Sequence, residues 1–217
     1  MARYLREVGA RPLRIVVLIS GGGSNLAALM EACSGADGRS RAAYPVQIVA
    51  VGADRPGAGG LELAAAHGIP TFVERVGDYP DRAQWDQALT DQCAAFEPEL
   101  VVSAGFLKLA GPIFLARFPG RYVNTHNSLL PSFAGIHGPA DALAYGVKVA
   151  GATLFVVDDG VDTGPIVAQV AVPVEPNDTV ETLTERIKVA ERAQLVDVIG
   201  AMARLGWTIS KRTVSIP

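Results

Sequence analysis

Residues 124–131, Asn-Thr-His-Asn-Ser-Leu-Leu-Pro, place an amide and an imidazole two positions apart, at Asn124 and His126. They follow the short run 121–123, whose position and flanks predict a β-strand. Because alternate residues of a strand share a face, the two side chains are expected to project together. A side-chain amide can donate to a developing oxyanion and an imidazole can transfer a proton, so the pair suits attack on a carbonyl carbon.

A catalytic histidine needs a third group that orients it, and the acidic turn (residues 158–165) offers three aspartates. A carboxylate beside His126 would favour the imidazolium form and make the ring a better proton donor. Asp162 is the preferred partner, but spacing alone does not separate it from Asp158 and Asp159. Each of the three also suits a turn, in which an aspartate accepts hydrogen bonds from neighbouring backbone N–H groups.

The glycine loop (residues 20–25, Ser-Gly-Gly-Gly-Ser-Asn) follows a predicted strand and opens a predicted helix. Free backbone N–H groups and the helix dipole favour an anion there, so a phosphate monoester fits. The loop is not a dinucleotide fingerprint, whose third glycine would fall at Leu26, nor a P-loop, because no lysine precedes the serine. The alternative is a tight turn in which Ser24 or Asn25 caps the helix.

The elements that would position these groups alternate between strand and helix. The predicted strands are 15–19, 46–51, 71–73 and 100–104, and the predicted helices are 26–30, 61–67, 82–96 and a short one within 105–117. This order indicates an α/β fold with a doubly wound, mostly parallel sheet. Such sheets bind ligands beyond the carboxyl ends of their strands, so the loops 20–25, 104–110 and 124–127 are expected to face one cleft.

The C-terminal half predicts a hairpin-like extension and a long helix. Strands are predicted at 151–157 and 166–172, on either side of the acidic turn, after a short helix at 139–145. An apolar stripe then marks one face of a helix from Val180 towards Leu205. With no internal repeat or dividing linker, residues 14–217 are predicted to form a single domain, preceded by a flexible N-terminal extension at 1–13.

Composition narrows the classes of partner. The chain has 217 residues, of which 49% are hydrophobic and 19% charged, an ordinary globular balance. A net charge of -3 and a pI near 5.6 give no broad basic surface, so nucleic acid and anionic membranes are poor candidates. No apolar run is long enough to span a bilayer. Small-molecule partners are favoured, with the chain acting as a monomer or a homodimer.

The cysteines and histidines do not predict a metal site. Cys33 and Cys93 are far apart and lack the paired spacing of zinc or redox motifs, which fits a reduced cytoplasm. His126 and His137 lack helical ligand spacing, so no metal is expected. Asp54, after the second predicted strand, could mimic the ribose-binding acid of a dehydrogenase, but the glycine loop disfavours a nicotinamide cofactor.

With these residues assembled, the chain resembles the glycinamide ribonucleotide formyltransferases, the folate-dependent enzymes of purine synthesis, from about residue 14 to residue 205. Four motifs carry the resemblance in the family's order: 19–26 (Ile-Ser-Gly-Gly-Gly-Ser-Asn-Leu), 104–109 (Ala-Gly-Phe-Leu-Lys-Leu), 124–131 and 160–165 (Gly-Val-Asp-Thr-Gly-Pro). The resemblance implies a Rossmann-like formyltransferase fold. It also implies formyl transfer from 10-formyltetrahydrofolate, as a cosubstrate, to the amine of glycinamide ribonucleotide in IMP biosynthesis.

The resemblance assigns roles to single residues. The implied phosphate ligands are Gly23, Ser24 and Asn25, and the implied folate contacts are Arg82, Leu107, Lys108, Leu109, Ala110 and Asn124. The implied catalytic residues are Asn124, His126 and Asp162, with His137 as a second active-site histidine. Glu191 matches the family's ribose-binding glutamate, although its position alone would favour a solvated glutamate paired with Lys188.

The chain departs from the family's usual sequence at two positions, and the resemblance also implies one feature of the backbone. The family usually has proline at the position of Asn127, so the loop here loses a φ restraint and a modest change in rigidity is expected. Lys108 stands where some relatives carry arginine, which affects the detailed folate contacts. The resemblance also implies a cis bond between Leu130 and Pro131.

Four rival functions are compared with this one. A formyltetrahydrofolate hydrolase would keep the fold and the three catalytic residues, but such relatives typically carry an N-terminal regulatory domain, for which residues before 14 leave no room. Methionyl-tRNA formyltransferases usually add a C-terminal domain and a basic surface. A nicotinamide-dependent oxidoreductase predicts a glycine at Leu26, and a phosphate-ligand sensor has no need of Asn124, His126 and Asp162. Ser128 lacks the elbow motif of a nucleophile, so direct transfer without a covalent enzyme intermediate is expected.

Overall fold

The computed structural model describes residues 2–7, 11–35 and 44–217. Its strands are β1 (Ala2–Leu5), β2 (Leu13–Ile19), β3 (Val46–Ala53), β4 (Thr71–Val73), β5 (Leu100–Ser103), β6 (Tyr122–His126), β7 (Val149–Val156), β8 (Ile166–Pro173), β9 (Gly206–Ser210) and β10 (Thr213–Ser215). Its helices are α1 (Ser24–Ser34), α2 (Gly59–Ala66), α3 (Arg82–Ala95), α4 (Pro112–Arg117), α5 (Gly138–Tyr145) and α6 (Val180–Leu205), with a 3-10 turn at Val76–Asp78. Within these ranges, no helix combines the length and the apolar character needed to cross a membrane.

Seven strands form the central sheet in the order β4-β3-β2-β5-β6-β7-β8. The five strands from β4 to β6 in this order are parallel to one another. β7 runs antiparallel to β6, and β8 antiparallel to β7. The predicted doubly wound, mostly parallel sheet and its hairpin-like extension are therefore confirmed.

The central strands are buried on both faces, as their uninterrupted apolar runs predict. On β2, Ile15, Val17 and Ile19 belong to a core cluster that includes residues of α1 and α6. Val16 and Leu18 point to the opposite face, into a cluster with residues of α3 and α4. Helices thus cover both faces of the sheet, and sheets of this kind bind ligands at the carboxyl ends of their strands.

The direction of winding reverses between β2 and β5, and this reversal opens a crevice at their carboxyl ends. The glycine loop leaves β2 there, and the β5 loop (residues 104–111) leaves β5. Two hydrogen bonds join these loops: Ser20 N donates to Gly105 O at 3.0 Å, and Leu107 N donates to Ser20 Oγ at 2.8 Å. The glycine loop and the β5 loop are therefore hydrogen-bonded to each other at the base of the crevice.

The structure differs from the predicted flexible extension at the N-terminus. Ala2–Leu5 forms a strand that pairs antiparallel with β9, and β2 already begins at Leu13. Tyr4 stacks on Trp207 with 4.8 Å between ring centroids, which gives this short strand an apolar anchor. The pairing joins residues about two hundred positions apart, so no local pattern could predict it; residues 8–10 of the extension lie outside the described residues.

Candidate active site

A cavity of about 630 Å³ lies at the carboxyl ends of β2, β5 and β6. The predicted site residues that line it are Gly23, Ser24, Asn25, Leu107, Lys108, Leu109, Ala110, Asn124, His126, Asp162 and Glu191. The three loops expected to face one cleft thus do so. Two predicted site residues, Arg82 and His137, are not among those that line the cavity.

The end of β6 places Asn124 and His126 on the cavity side, as the strand parity predicts. The His126 ring is mostly buried; its Nε2 lies 3.1 Å from Phe133 O and its Nδ1 lies 3.6 Å from Asp162 Oδ2. The first distance is that of a hydrogen bond and the second is somewhat longer. The part of the chain that the structure describes offers no hydrogen-bond partner to the Asn124 side chain, so its amide is available to a ligand.

The acidic turn separates the three aspartates that spacing could not. Asp158 Oδ1 accepts from Gly160 N at 3.2 Å and from Thr163 Oγ1 at 2.6 Å, which is the structural role of a turn aspartate. Asp162 adopts a left-handed conformation with φ of 55°, and its Oδ2 accepts from the N–H of Gly135 at 2.9 Å. Of the three, Asp162 is the one that reaches the histidine.

The segment between β6 and α5 supplies backbone groups to both catalytic candidates. It contributes the carbonyl of Phe133 to His126 and the N–H of Gly135 to Asp162. The Leu130-Pro131 bond is cis, as the resemblance implies. The hydroxyl of Thr153 on β7 holds the segment, because it accepts from Leu130 N at 3.0 Å and donates to Ser128 O at 2.7 Å.

Asn127 and His137 flank that segment. Asn127 is half-buried and lines the cavity, and its backbone oxygen would lie 3.0 Å from a Cβ added at Gly138. His137 precedes the first residue of α5 and is exposed. Its neighbours Gly135 and Ile136 line the cavity, whereas His137 is not among the residues that line it.

The glycine loop is shaped by a requirement at Gly23. This residue has a φ of 76°, and a Cβ on it would lie 2.9 Å from the Cα of Gly60, so only glycine fits without strain. Gly23 is also the residue that caps α1, and no side chain caps the helix. The alternative in which Ser24 or Asn25 caps the helix is therefore wrong, and the first turn of α1 adjoins the cavity with its N-terminal dipole.

Glu191 is a buried carboxylate in the wall of the cavity. Its Oε1 accepts from Thr125 Oγ1 at 2.6 Å, and its side chain also bonds with that of Asn25. Burial raises the pKa of Glu191, although these hydrogen bonds and the nearby His126 oppose the rise. Lys188 forms its ion pair with Glu185 at 2.8 Å, so the surface pairing of Glu191 with Lys188 is wrong.

The β5 loop presents exposed apolar side chains to the cavity, with Leu107 66% and Leu109 62% exposed. Its far end is held by the buried Asp86, which accepts from Gly111 N at 2.7 Å and from Ile113 N at 2.8 Å. A carboxylate that accepts several backbone N–H groups fixes both the loop and the start of α4.

Arg82 acts on the β5 loop from outside the cavity. Its guanidinium donates to the carbonyl of Leu109 and lies over the Trp85 ring at 4.4 Å from the centroid. A cation in this position is held by the indole face as well as by the carbonyl. The structure therefore places Arg82 behind a predicted folate contact.

Four residues near the cavity were missed by the sequence-based assignment of the site. Thr125, between Asn124 and His126, orients Glu191, and Ser20 connects the glycine loop to the β5 loop. Asp54 pairs with Lys108, and Lys188 lines the cavity one helical turn before Glu191. Ser20 could have been found from the sequence, because it is the first residue of the glycine motif. The roles of the other three residues follow from tertiary contacts.

The geometry combines a proton-transfer pair, an amide donor, a helix N-terminus and a buried carboxylate in one cavity. Among the described residues, no group of three or more His, Cys, Asp or Glu side chains is arranged to hold a metal ion. The arrangement suits acyl transfer between two organic substrates.

The class of protein follows from comparison with known families. The chain matches the formyl transferase family over residues 13–199 and belongs to that family. It is 51% identical over 216 residues to the phosphoribosylglycinamide formyltransferase of Mycobacterium tuberculosis, a match that covers 100% of this chain and 97% of the relative. Within the formyl transferases, the chain is thus a member of the phosphoribosylglycinamide formyltransferases.

Solved structures agree with this assignment. Glycinamide ribonucleotide transformylase 1 from Symbiobacterium toebii superposes with a TM-score of 0.88 at 40% identity, over 94% of each chain. A formyltetrahydrofolate deformylase from Pseudomonas syringae pv. tomato has a TM-score of 0.85 at 23% identity, over 95% of this chain and 66% of that one. The latter likeness concerns the fold alone.

Proposed function

We propose that this protein transfers the formyl group of 10-formyltetrahydrofolate to the amine of 5'-phosphoribosylglycinamide (glycinamide ribonucleotide), a step of de novo IMP biosynthesis. The observation that carries the proposal is the placement of Asn124, His126 and Asp162 in the same cavity as the glycine loop and Glu191. The partners in this proposal are small molecules rather than nucleic acid, and the compartment is the cytoplasm, in line with the acidic charge and the cysteine usage.

The acceptor's phosphate would bind at the glycine loop, where the first turn of α1 offers backbone N–H groups and a positive dipole end. The ribose hydroxyls would donate to the carboxylate of Glu191, which Thr125 and Asn25 hold in place. Asn25 Oδ1 is buried, and the described residues provide it with no hydrogen-bond partner, so it is a further acceptor for a substrate N–H. These groups orient the substrate amine towards β6.

The folate would lie against the β5 loop, whose exposed leucines suit the apolar parts of a pteridine and its linker. Lys108, which lines the cavity, supplies a cation for the folate carboxylates. Arg82 supports this surface through the carbonyl of Leu109. The two substrates thus meet in front of Asn124 and His126.

In the reaction, the acceptor amine forms a bond to the formyl carbon and the bond from that carbon to N10 of the folate breaks. Asn124 and protonated His126 stabilise the oxyanion of the tetrahedral intermediate. Nε2 of His126 lies 3.1 Å from Phe133 O and Nδ1 lies 3.6 Å from Asp162 Oδ2, so each ring nitrogen has a neighbour that fixes the orientation of the ring. Asp162 orients the ring, and the proton lost by the amine passes to the folate nitrogen.

Deformylation of 10-formyltetrahydrofolate tests the proposal when it is followed with and without glycinamide ribonucleotide. We expect tetrahydrofolate to appear only when the acceptor is present, with formylglycinamide ribonucleotide formed in equal amount. Release of formate at a comparable rate without the acceptor would overturn the proposal and identify a hydrolase.

A further inference from the structure

Asp54 is a buried carboxylate that directly follows β3 and that formyl transfer, as described above, does not use. Its side chain is 1% exposed and contacts two cations. Arg55 donates to both carboxylate oxygens at 3.1 Å, and Lys108 Nζ lies 3.3 Å from Oδ2. A buried carboxylate is costly unless it is paired, so these contacts account for its place in the fold.

A second connection runs from Asp54 through Ser20. The Ser20 hydroxyl bonds with the Asp54 carboxylate, and its oxygen accepts from Leu107 N at 2.8 Å. Asp54 therefore reaches the β5 loop twice, once through the Lys108 ammonium and once through the backbone of Leu107. It connects the segments that follow β2, β3 and β5, which are the strands on either side of the crevice.

The charge state of Asp54 supports this role. Burial raises its pKa, but hydrogen bonds from Arg55, Ser20 and Lys108 outweigh burial and hold the pKa below its usual range. The carboxylate is thus ionised at neutral pH. Its two cations differ in position, because Lys108 lines the cavity and Arg55, whose side chain is 50% exposed, does not.

We propose that Asp54 is a positioning residue for the formyl donor, because it holds the Lys108 ammonium and the Leu107 N–H in the arrangement that the donor meets. The inference rests on the proposed function, which assigns the donor to the β5 loop. It assigns no contact with substrate to Asp54 itself. Arg55 neutralises the outer side of the carboxylate and has no part in donor binding.

The test is a double-mutant cycle with steady-state kinetics for each substrate. Asp54→Asn keeps the shape of the side chain and removes its charge, so the KM for 10-formyltetrahydrofolate should rise about tenfold, while kcat and the KM for glycinamide ribonucleotide stay within about twofold. Lys108→Met should also raise the donor KM. In the Lys108→Met background, the effect of Asp54→Asn on the donor KM should be clearly smaller than in the wild type, because only the connection through Ser20 to Leu107 N then remains.

Arg55→Met is the matched control, since it removes the other cation of the same carboxylate. We expect its donor KM to stay within about twofold of wild type, because Arg55 does not line the cavity and Lys108 and Ser20 still contact the carboxylate. An unchanged donor KM in Asp54→Asn, or an equal effect of that change with and without Lys108, would overturn the positioning role. If Asp54→Asn does not fold, Ser20→Ala and Lys108→Met replace it, because each removes one of the two connections; an unchanged donor KM in both variants would count against the inference.

Binding of tetrahydrofolate, followed by protein fluorescence, separates this inference from the proposed function. If the wild type transfers no formyl group but Asp54→Asn weakens tetrahydrofolate binding about tenfold, the proposed function fails and the positioning role stands. If the wild type catalyses the transfer and Asp54→Asn binds tetrahydrofolate normally, the positioning role fails and the proposed function stands.

Discussion

The β5 loop and the acidic turn, which face each other across the cavity, hold their polar groups in different ways. In the β5 loop, Gly111 N lies 2.7 Å from the buried Asp86, and Lys108 lies 3.3 Å from the buried Asp54. Across the cavity, His126 Nδ1 and Asp162 Oδ2 are 3.6 Å apart, longer than a hydrogen bond. We call these two sides of the cavity its walls. The polar groups of the β5-loop wall already have protein partners, whereas in the wall formed by His126 and the acidic turn the long contact leaves room for a substrate.

This difference predicts which substitutions affect turnover and which affect stability or donor affinity. A change at Asp162 or at His126 should lower turnover and leave stability almost unaltered, because few native contacts are lost. A change at the carboxylates beneath the β5 loop should lower stability or donor affinity, because it removes partners from buried N–H groups or cations.

The largest effect is expected for His126→Ala. Loss of a proton-transferring and oxyanion-stabilising imidazole should lower kcat about a thousandfold, while the midpoint of urea unfolding should change little. Steady-state assays with both substrates, combined with urea unfolding, measure the two quantities.

The control is His67→Ala, which removes an exposed histidine whose ring bonds with the carbonyl of Leu63 in the preceding helix. Its kcat should equal that of the wild type. Near-normal turnover in folded His126→Ala would remove the histidine from the mechanism and with it the contrast between the two walls.

Asp86→Ala should show the opposite pattern. The change leaves the half-buried N–H groups of Gly111 and Ile113 without their acceptor, so the free energy of unfolding should fall by about 2.5 kcal/mol. Asp91→Ala on the same helix is the control, because Asp91 is exposed and accepts from the side chain of Gln87, one turn earlier on the helix. Urea unfolding should place Asp91→Ala within about 0.5 kcal/mol of wild type; equal losses in both variants would mean that the loop is not held by Asp86.

The sequence predicts the features of each wall that depend on local patterns, and it does not predict contacts between residues that are far apart in the chain. Strand parity placed Asn124 and His126 together, and the glycine loop and β5 loop were expected in the crevice because parallel strands end at the same edge. Spacing alone did not separate Asp162 from Asp158; the resemblance implied Asp162, and the folded turn shows that Asp158 serves the turn itself.

Other contacts could not be predicted from local patterns. The partners of Asp86 are backbone N–H groups 25 and 27 residues further along the chain, and backbone groups carry no sequence signal. The strand pairing of Ala2–Leu5 with β9 depends on the tail that follows α6. Such contacts are set by how the elements pack, so they appear only in the folded chain.

Asp162→Asn sharpens the contrast within the acidic turn. An asparagine keeps an oxygen for the N–H of Gly135 but presents no charge to His126, so kcat should fall about thirtyfold with unchanged stability. Asp158→Asn is the counterpart, because Asp158 serves only the turn and should mainly affect stability. Comparison of kcat and urea midpoint for the two variants decides the assignment, and a larger loss of kcat in Asp158→Asn would reverse it.

Glu191 combines features of both walls. It is buried, like the carboxylates of Asp54 and Asp86, and it lines the cavity in which the acceptor is proposed to bind, as His126 does. Its folded pKa is raised above the ordinary 4.5, so its contribution to stability is fully present below about pH 4.5 and is lost as the pH rises through the folded pKa. Glutamine does not ionise, and therefore Glu191→Gln should gain thermal stability relative to wild type between pH 4 and pH 8. The KM for glycinamide ribonucleotide should rise about tenfold, because the ribose loses a charged acceptor.

Glu185→Gln, on the same helix, is the control with the opposite sign. The hydrogen bond from Lys188 lowers the pKa of Glu185, so its small contribution is present above the unfolded pKa and is lost as the pH falls. Thermal melts from pH 4 to pH 8 should therefore diverge in opposite directions for the two variants, with an unchanged acceptor KM only in Glu185→Gln. If Glu191→Gln instead loses stability at pH 8 without any change in acceptor KM, the Glu191 carboxylate is a structural partner of Thr125 and Asn25 rather than a ribose ligand.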